Sequence, residues 1–525
     1  MSFWDSLVSL YYESFNDSHS DYVMMDFFNF SDIKRCLNEY KNFDSEQLQQ
    51  KAANVYLTYF HFVADRVPAY NDFLFSQGIS HYDIKTTADF NEIPWVDKNN
   101  YLRRYRLNEL CVDGKIQSNV TASISSGSSG IPFAWPRGTY QNVESYFTTE
   151  LYLTNIFEIN KYKTLVVNCF SMGMYVAGTF ISDTIIRVAA KGYDALVVSP
   201  GLNQGDIETV IVDLSKSYDQ IIIAGYPPLI KDTVDAMNLK GFDWKEKKVR
   251  FLFATEGFSE TWRNNIIASV GQDPEDYKVS LNIYGSADSL ILGHETPISI
   301  YVKKLIEKGD VFSNAVIGSC RRCTFVQYNP LLRYFQKTNK EILFSSFAGI
   351  PLIRYNIHDE GGIITHSALQ KKINTLGTDF SADLTIKGLD DNNWRLPFVY
   401  LFGKSNNVIS FYGLKIYPEN IQASLESDKL KKYVSGRFQM RAKENLAGYR
   451  EFHLDIELGL NVIPDTQIEV LIETEVVRVL KNKNAEYNCL NQALGEKSLP
   501  AFMFFQKGTG VFSMTSVKHV WAISS

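Results

Sequence analysis

Ser125-Ser126-Gly127-Ser128-Ser129-Gly130-Ile131-Pro132 places six consecutive small residues between two segments that read as strands. Glycines let the backbone fold without side-chain obstruction, its N–H groups can converge on one point, and hydroxyls add donors. Together these features make a cradle for phosphate. The run lacks the G-K-[ST] ending of a Walker loop. A flexible Gly/Ser linker is the other reading of the same composition. Position favours the cradle, because Pro132 and the aromatic segment FAWPRGTY follow at once and read as packed strand. A second candidate, Cys320-x-x-Cys323, has no matching pair nearby, and a closed zinc site needs four ligands, so these read as ordinary cysteines.

The elements that must position such a loop fall into four stretches. Residues 1 to about 110 form a helical lead-in, with amphipathic SEQLQQKAANVYLTYFHFVADRV followed by the Pro-punctuated RVPAYNDF and EIPWVDKNNYL. From about 160 to 290, the apolar runs KTLVVNCF, YDALVVSP, YDQIIIAGY, VRFLFAT and VSLNIYG alternate with helical stretches. That alternation predicts an α/β fold with a helix-covered, mainly parallel sheet. Between about 300 and 400, EILFSSF and PLIRYNIHDEGGIITH read as strands of a second sheet or a barrel-like subdomain. After LFGKSNNVISFYG come a helix near YPENIQASLE, the alternating strand FHLDIEL, a helix over about 465 to 482, and a terminal strand. The domain boundary is therefore set at 403/404: a large domain over 1–403 and a small α+β domain over 404–525.

Composition excludes several classes of function. With 53 basic and 59 acidic residues the net charge is -6, so no broad electrostatic footprint for nucleic acid exists. The start MSFWDSLVSLYYESF carries acids before any base and lacks the marks of a signal peptide. The longest uncharged stretch, Thr164 to Ser182, contains Asn168, Ser171, Thr179 and two glycines, and reads as a buried strand, loop and helix, not a membrane span. Six scattered cysteines suit a reducing cytoplasm.

SISSGSSGIPF resembles the Ser/Thr/Gly-rich phosphate loop of the adenylate-forming superfamily of acyl-CoA synthetases, adenylation domains and luciferases. Further elements follow in that family's order. Asn282-Ile283-Tyr284-Gly285-Ser286-Ala287-Asp288 is similar to its Tyr-Gly-x-Thr-Glu element, which implies Tyr284, Gly285 and Ser286 beside AMP and Asp288 as the magnesium ligand. Read alone, it is a strand end with a turn. Pro351 to Asp359, PLIRYNIHD, resembles the element whose aspartate binds both ribose hydroxyls, a task suited to a bidentate acceptor; alone, Asp359 is a turn residue. Gly403-Lys404-Ser405-Asn406-Asn407 and Tyr412 to Ile421 resemble the hinge and the first strand-turn-helix of the C-terminal domain, with Lys404 near the ribose and Asn406 as the hinge. Lys518, in SVKHVW, falls where the family places the lysine that bridges substrate carboxylate and α-phosphate; by itself it is a surface lysine. Ala254-Thr255-Glu256-Gly257 matches in place the segment lining the adenine pocket, which implicates Glu256 and Gly257. A helix-capping turn with Ser259 as the cap is the alternative there. The lead-in is similar to that of phenylacetate-CoA ligase-like enzymes.

The resemblance implies ATP-dependent activation of a small carboxylic acid as its acyl-AMP, with magnesium, then transfer to a thiol, coenzyme A being the first expectation. A carrier protein, a protein side chain or an amine is the second acceptor class, and a non-catalytic nucleotide-binding protein is the third reading. Phe170, Met172, Met174 and Tyr175 read either as acyl-pocket lining or as core. Several positions depart from the pattern. Asp288 is one methylene shorter than the usual Glu, Asn406 replaces the hinge Asp, and Lys404 replaces an Arg. His358 stands where a Gly is common, and no basic residue flanks the phosphate loop.

Overall fold

The computed structural model of the chain describes residues 3–16, 32–118, 120–125, 133–173, 176–255, 257–319, 323–404, 409–416, 418–425, 427, 429–430, 432–444, 449–459, 462–513 and 522–524. The lead-in is helical, with helices Phe3–Asn16, Ile33–Asn42, Ser45–Arg66 and Pro68–Ser76. Asp44 starts the long helix by accepting from the backbone N–H groups of Glu46 and Gln47. That helix buries Leu48, Ala52, Tyr56, Tyr59 and Val63, one face at three- and four-residue spacing. Tyr56 stacks on Tyr334 at 5.4 Å and Tyr59 packs on Phe347 at 4.0 Å.

The strands are β1 Ala122–Ser125, β2 Phe133–Pro136, β3 Thr164–Asn168, β4 Ala195–Val198, β5 Gln220–Gly225, β6 Lys248–Ala254, β7 Ser280–Ser286, β8 Leu290–His294, β9 Thr324–Gln327, β10 Tyr334–Lys337, β11 Glu341–Ser346, β12 Leu352–Ile364, β13 Phe398–Lys404, β14 Ile409–Phe411, β15 Leu414–Ile416, β16 Val434–Glu444, β17 Arg450–Leu458, β18 Ala501–Phe505 and β19 Ala522–Ser524. Among the described residues eleven of them form one sheet in the order β10-β11-β12-β13-β9-β8-β7-β6-β5-β3-β4. Strands β4, β3, β5, β6 and β7 are parallel, as their apolar runs predict, and β3 and β5 are buried along their whole length. Neighbouring connections lead from β3 to β4 on one side and on to β5 on the other, so the crevice between β3 and β5 is the topological switch point.

The strands expected to form a second sheet or barrel-like subdomain continue this same sheet as its antiparallel half. Continuity across the junction is slight: β8 pairs with β9 only at His294↔Gln327. Register shifts interrupt the β11–β12 and β12–β13 ladders, and Arg354 and His358 in β12 have left-handed backbone. These bends account for the barrel-like reading of that sequence.

Beyond residue 404 stand the hairpin β14–β15, the sheet β18-β17-β16-β19, and helices Pro418–Leu425, Thr466–Lys483 and Ala485–Leu494. The helix and strand expectations for this region agree with these elements. One buried apolar cluster joins Leu165, Ile221 and Phe251 of the parallel strands to Ile409, Phe411, Phe438 and Val476, so the C-terminal region packs onto the rest of the chain. No helix among the described residues is long and apolar enough to cross a membrane.

Candidate functional site

The end of β7 supplies the first group. Ile283 pairs with Ala254 in parallel register, which brings Tyr284-Gly285-Ser286 to the same edge as the residues that follow β6. A register shift between Tyr284 and Gly285 turns the chain into β8. A Cβ at Gly285 would lie 2.7 Å from the Leu290 carbonyl oxygen, so this bulge requires glycine. The Tyr284 hydroxyl donates to Asp359 Oδ2 at 2.8 Å, and burial with the nearby Asp359 and Asp288 carboxylates drives its pKa well above the ordinary value. Asp359 lies in β12 opposite Lys404 of β13. Two segments about 75 residues apart in sequence thus meet side by side.

Asp288, in the turn between β7 and β8, is 4% exposed and ringed by basic and hydroxyl groups. Lys98 Nζ, from the lead-in, stands 3.9 Å from its carboxylate and over the Trp135 ring. Burial and Asp288 raise the Tyr355 hydroxyl far above its ordinary pKa. Arg137 donates to the Ala287 carbonyl at 2.7 Å, and burial pushes its guanidinium down to about 10 against the pull of Asp288. Gln141 donates to the Asp288 carbonyl at 3.2 Å, and the Ser289 N–H donates to Ser286 Oγ at 3.2 Å. Magnesium held with a nucleotide needs only one or two carboxylates besides phosphate and water, so the lone Asp288 carboxylate fits in number. No cluster of three or more metal-ligating side chains exists among the described residues.

Ser125 ends β1 and pairs with Phe133 of β2; its hydroxyl donates to the Phe133 carbonyl at 3.4 Å. The two strands that flank the small-residue run, β1 and β2, thus pair with each other. Ser126, Gly127, Ser128, Ser129 and Gly130 lie outside the described residues, as do Glu256, Asn406 and Lys518, and so does the Lys404 side chain. Past β6, Thr255 has left-handed backbone, and a Cβ at Gly257 would meet Thr324 Oγ1 at 3.0 Å. Ser259 does cap helix Glu260–Ser269, accepting from the Trp262 N–H at 3.1 Å. Phe258 is held between Arg263 and Lys303, with each cation within 5 Å of its ring.

Phe170 is buried at the switch point and meets Tyr226 edge-on at 5.1 Å; Met172 is exposed, and Met174 and Tyr175 are not described. The turn of β14–β15 docks at this end of the sheet. Gly413, at φ 78, lies so close that a Cβ would be 2.3 Å from the Tyr226 ring and 2.5 Å from Thr255 Oγ1. The Tyr412 hydroxyl donates to Asp232 at 3.2 Å, and Lys497 stands 3.6 Å from the same carboxylate. Lys98, Arg137 and Tyr226 are site neighbours that sequence reasoning did not assign. Lys98 lies within EIPWVDKNNYL, and its spacing to Asp288 offers no sequence signal.

No protein-family model matches the sequence. A structure of 2-hydroxyisobutyryl-CoA ligase, in complex with 2-HIB-AMP and CoA in the thioesterification state, superposes with a TM-score of 0.61 at 13% identity, covering 93% of this chain and 91% of that one. The amide bond synthetase McbA from Marinactinospora thermotolerans gives a TM-score of 0.44 at 8% identity over 74% of this chain and 66% of that one. A curated aminomethyltransferase from Koribacter versatilis (strain Ellin345) is 27% identical over 215 residues, 39% of this chain. The match spans about half of that relative's length, 52%. A near-complete superposition onto the ligase, with the sheet and C-terminal elements described above, gives the architecture: the chain has the fold of the adenylate-forming enzymes and is divergent from them in sequence.

Proposed function

We propose that the protein activates a small carboxylic acid as its acyl-AMP at the expense of ATP and passes the acyl group to a thiol, coenzyme A being the acceptor. The observation that carries this reading is the convergence of Tyr284, Asp359 and Asp288 at one edge of the sheet, with Lys98 beside them. Asp359 would accept from the ribose hydroxyls, and Glu256, Gly257, Gly285 and Ser286 would border the adenine. A carboxylate is a poor electrophile, and its attack on the α-phosphate with departure of pyrophosphate needs charge neutralisation more than proton transfer. Lys518, Lys98 and the loop from Ser125 to Gly130 would supply it. Asp288 would hold magnesium, which offsets phosphate charge when bound.

In the second step the thiol sulfur attacks the acyl carbonyl and AMP leaves. The proposal divides the chain at 403/404 and lets the C-terminal domain turn near Asn406 between the steps. Superposition over 93% of this chain onto a ligase in its thioesterification state supports a thiol-transfer arrangement. Phe170 and Tyr226, at the switch point, would border the acyl group. The lead-in places the phenylacetate-CoA ligase-like branch within the same proposal. The aminomethyltransferase match covers too little of the chain to carry that activity over.

ATP–pyrophosphate exchange tests the reading, with magnesium and a panel of aryl, fatty and amino acids, beside Lys518→Ala. Exchange with one acid, lost in the variant, is expected. Coenzyme A, a pantetheinylated carrier and amines, offered to the preformed acyl-AMP, then separate the acceptors. ATP binding without exchange for any acid would leave the chain as a nucleotide-binding protein.

A further inference from the structure

We infer that His358 is a positioning residue: it clamps the lead-in segment Trp95–Lys98 onto β12, and through Asp97 it holds Lys98 at Asp288 beside Asp359. The inference rests on the nucleotide reading above.

Three sets of contacts carry it. His358 Nε2 lies 3.1 Å from Asp97 Oδ2, and Nδ1 lies 3.3 Å and 3.4 Å from the Glu341 carboxylate oxygens. Asp97 Oδ1 meanwhile accepts from the N–H groups of Asn99 and Asn100 at 2.7 Å and 2.6 Å, which shapes the turn that aims Lys98. The backbone of the segment is tied to the same strand, since the Val96 N–H donates to the Arg354 carbonyl and the Asn356 N–H donates to the Val96 carbonyl.

His358 has φ 61, left-handed backbone that a non-glycine residue rarely adopts. Its N–H donates to Asn356 Oδ1 at 2.7 Å, and Asn356 Nδ2 donates to Glu341 at 2.7 Å, so the kink is held by side chains. The kink immediately precedes Asp359. A glycine would take this conformation without strain, so the ring must give something that glycine cannot.

Both acceptors are carboxylates, and a ring that donates to both is an imidazolium. Among the described residues, Asp97 from the lead-in and Glu341 from β11 face the ring, with Trp95 edge-on at 5.9 Å; its neighbour Asp359 faces Tyr284. The hydrogen bond to Asp97 is the largest influence and raises the pKa above 6.5, with burial opposing it. The clamp is therefore complete below pH 6.5 and loses one donor as pH rises through the raised value.

The test uses the full chain with magnesium and ATP as the probe, from about pH 6 to about pH 9. Titration calorimetry compares wild type with His358→Gly, Asp97→Asn and the double variant. His358→Gly relieves the backbone, so folding is retained, and ATP is expected to bind about tenfold more weakly near pH 6.5, with the deficit shrinking as pH rises. The two single losses should not add. A ring with only a packing role would change the melting temperature and leave the ATP affinity ratio independent of pH, which would overturn the inference. The imidazole resonance, followed by nitrogen-15 NMR, reads the clamp without nucleotide. It should titrate above 6.5 in wild type and fall towards 6.5 in Asp97→Asn. A normal titration in wild type also overturns the clamp. A raised titration without ATP binding overturns the positioning role and the nucleotide reading together, whereas ATP binding that ignores His358 overturns the positioning role alone.

Discussion

The two halves of the central sheet do different work. Strands β3 and β5 are buried throughout, and among β3 to β6 no non-glycine residue has left-handed backbone. The antiparallel half is built otherwise: β12 mixes buried and half-buried positions without regular alternation, kinks at Arg354 and His358, and carries Asp359 between charged neighbours. Uniform apolar strands make a stiff platform, and irregular strands aim polar groups at its edge. Strain and charge have collected in the half whose ladders were already broken.

If that division holds, substitutions in the two halves separate stability from activity. The largest effect belongs to the pair joining the halves, in which Arg333 binds Glu144 of helix Thr139–Asn155 and donates to the Ser289 carbonyl at 3.0 Å. Burial raises the Glu144 pKa, while Arg333 and the Tyr11 hydroxyl oppose the shift. Arg333→Met strands that buried carboxylate and should cost about 3–5 kcal/mol in urea unfolding, with part recovered by adding Glu144→Gln. Near-wild-type stability of Arg333→Met alone would show that the halves are joined elsewhere.

Acid should weaken the junction next. Burial pushes His294 down to about 4, so between the unfolded value of 6.5 and 4 the unfolded chain binds a proton that the folded chain refuses. Stability should fall by roughly 3 kcal/mol over that interval, and His294→Gln should flatten the profile. The contrast within the sheet comes third. Asp359→Ala should reduce pyrophosphate exchange about a hundredfold with little change in melting temperature. Ile222→Ala in β5 should do the reverse, losing about 2–5 kcal/mol of stability and leaving exchange by the folded fraction intact. Smallest is Tyr412→Phe, which removes the hydrogen bond to Asp232; it should loosen C-terminal docking by about 1 kcal/mol, visible as faster proteolysis after residue 404 with exchange unaffected.

Legibility in the sequence follows the same division. Apolar runs bounded by turn residues announce β3 to β7, because a strand buried on both faces leaves one pattern only. The C-terminal helices and β17 are equally plain from their periodicity. The stretch from about 300 to 400 reads as a second sheet or a barrel-like subdomain because bulges and left-handed residues break the two-residue alternation, and the single pair His294↔Gln327 is invisible to any local pattern. Tyr284, Asp288 and Asp359 could be picked out by motif, and they do meet. Lys98 could not, because 190 positions of chain separate it from Asp288 and they meet through tertiary contacts, among them the docking of Val96 on β12. Docking of Gly413 on Tyr226 is likewise a tertiary fact that a hairpin sequence does not contain.

Where β8 and β9 part company after one residue pair, the Gln327 side chain takes over: its carbonyl accepts from Thr296 Oγ1 at 2.6 Å and its amide donates to the Trp394 and Leu396 carbonyls at 2.7 Å and 3.0 Å. A carboxamide cannot pass on ladder cooperativity as successive peptide groups do. Amide hydrogen exchange should therefore divide the sheet into two protection classes at this seam, making one continuous sheet into two thermodynamic units.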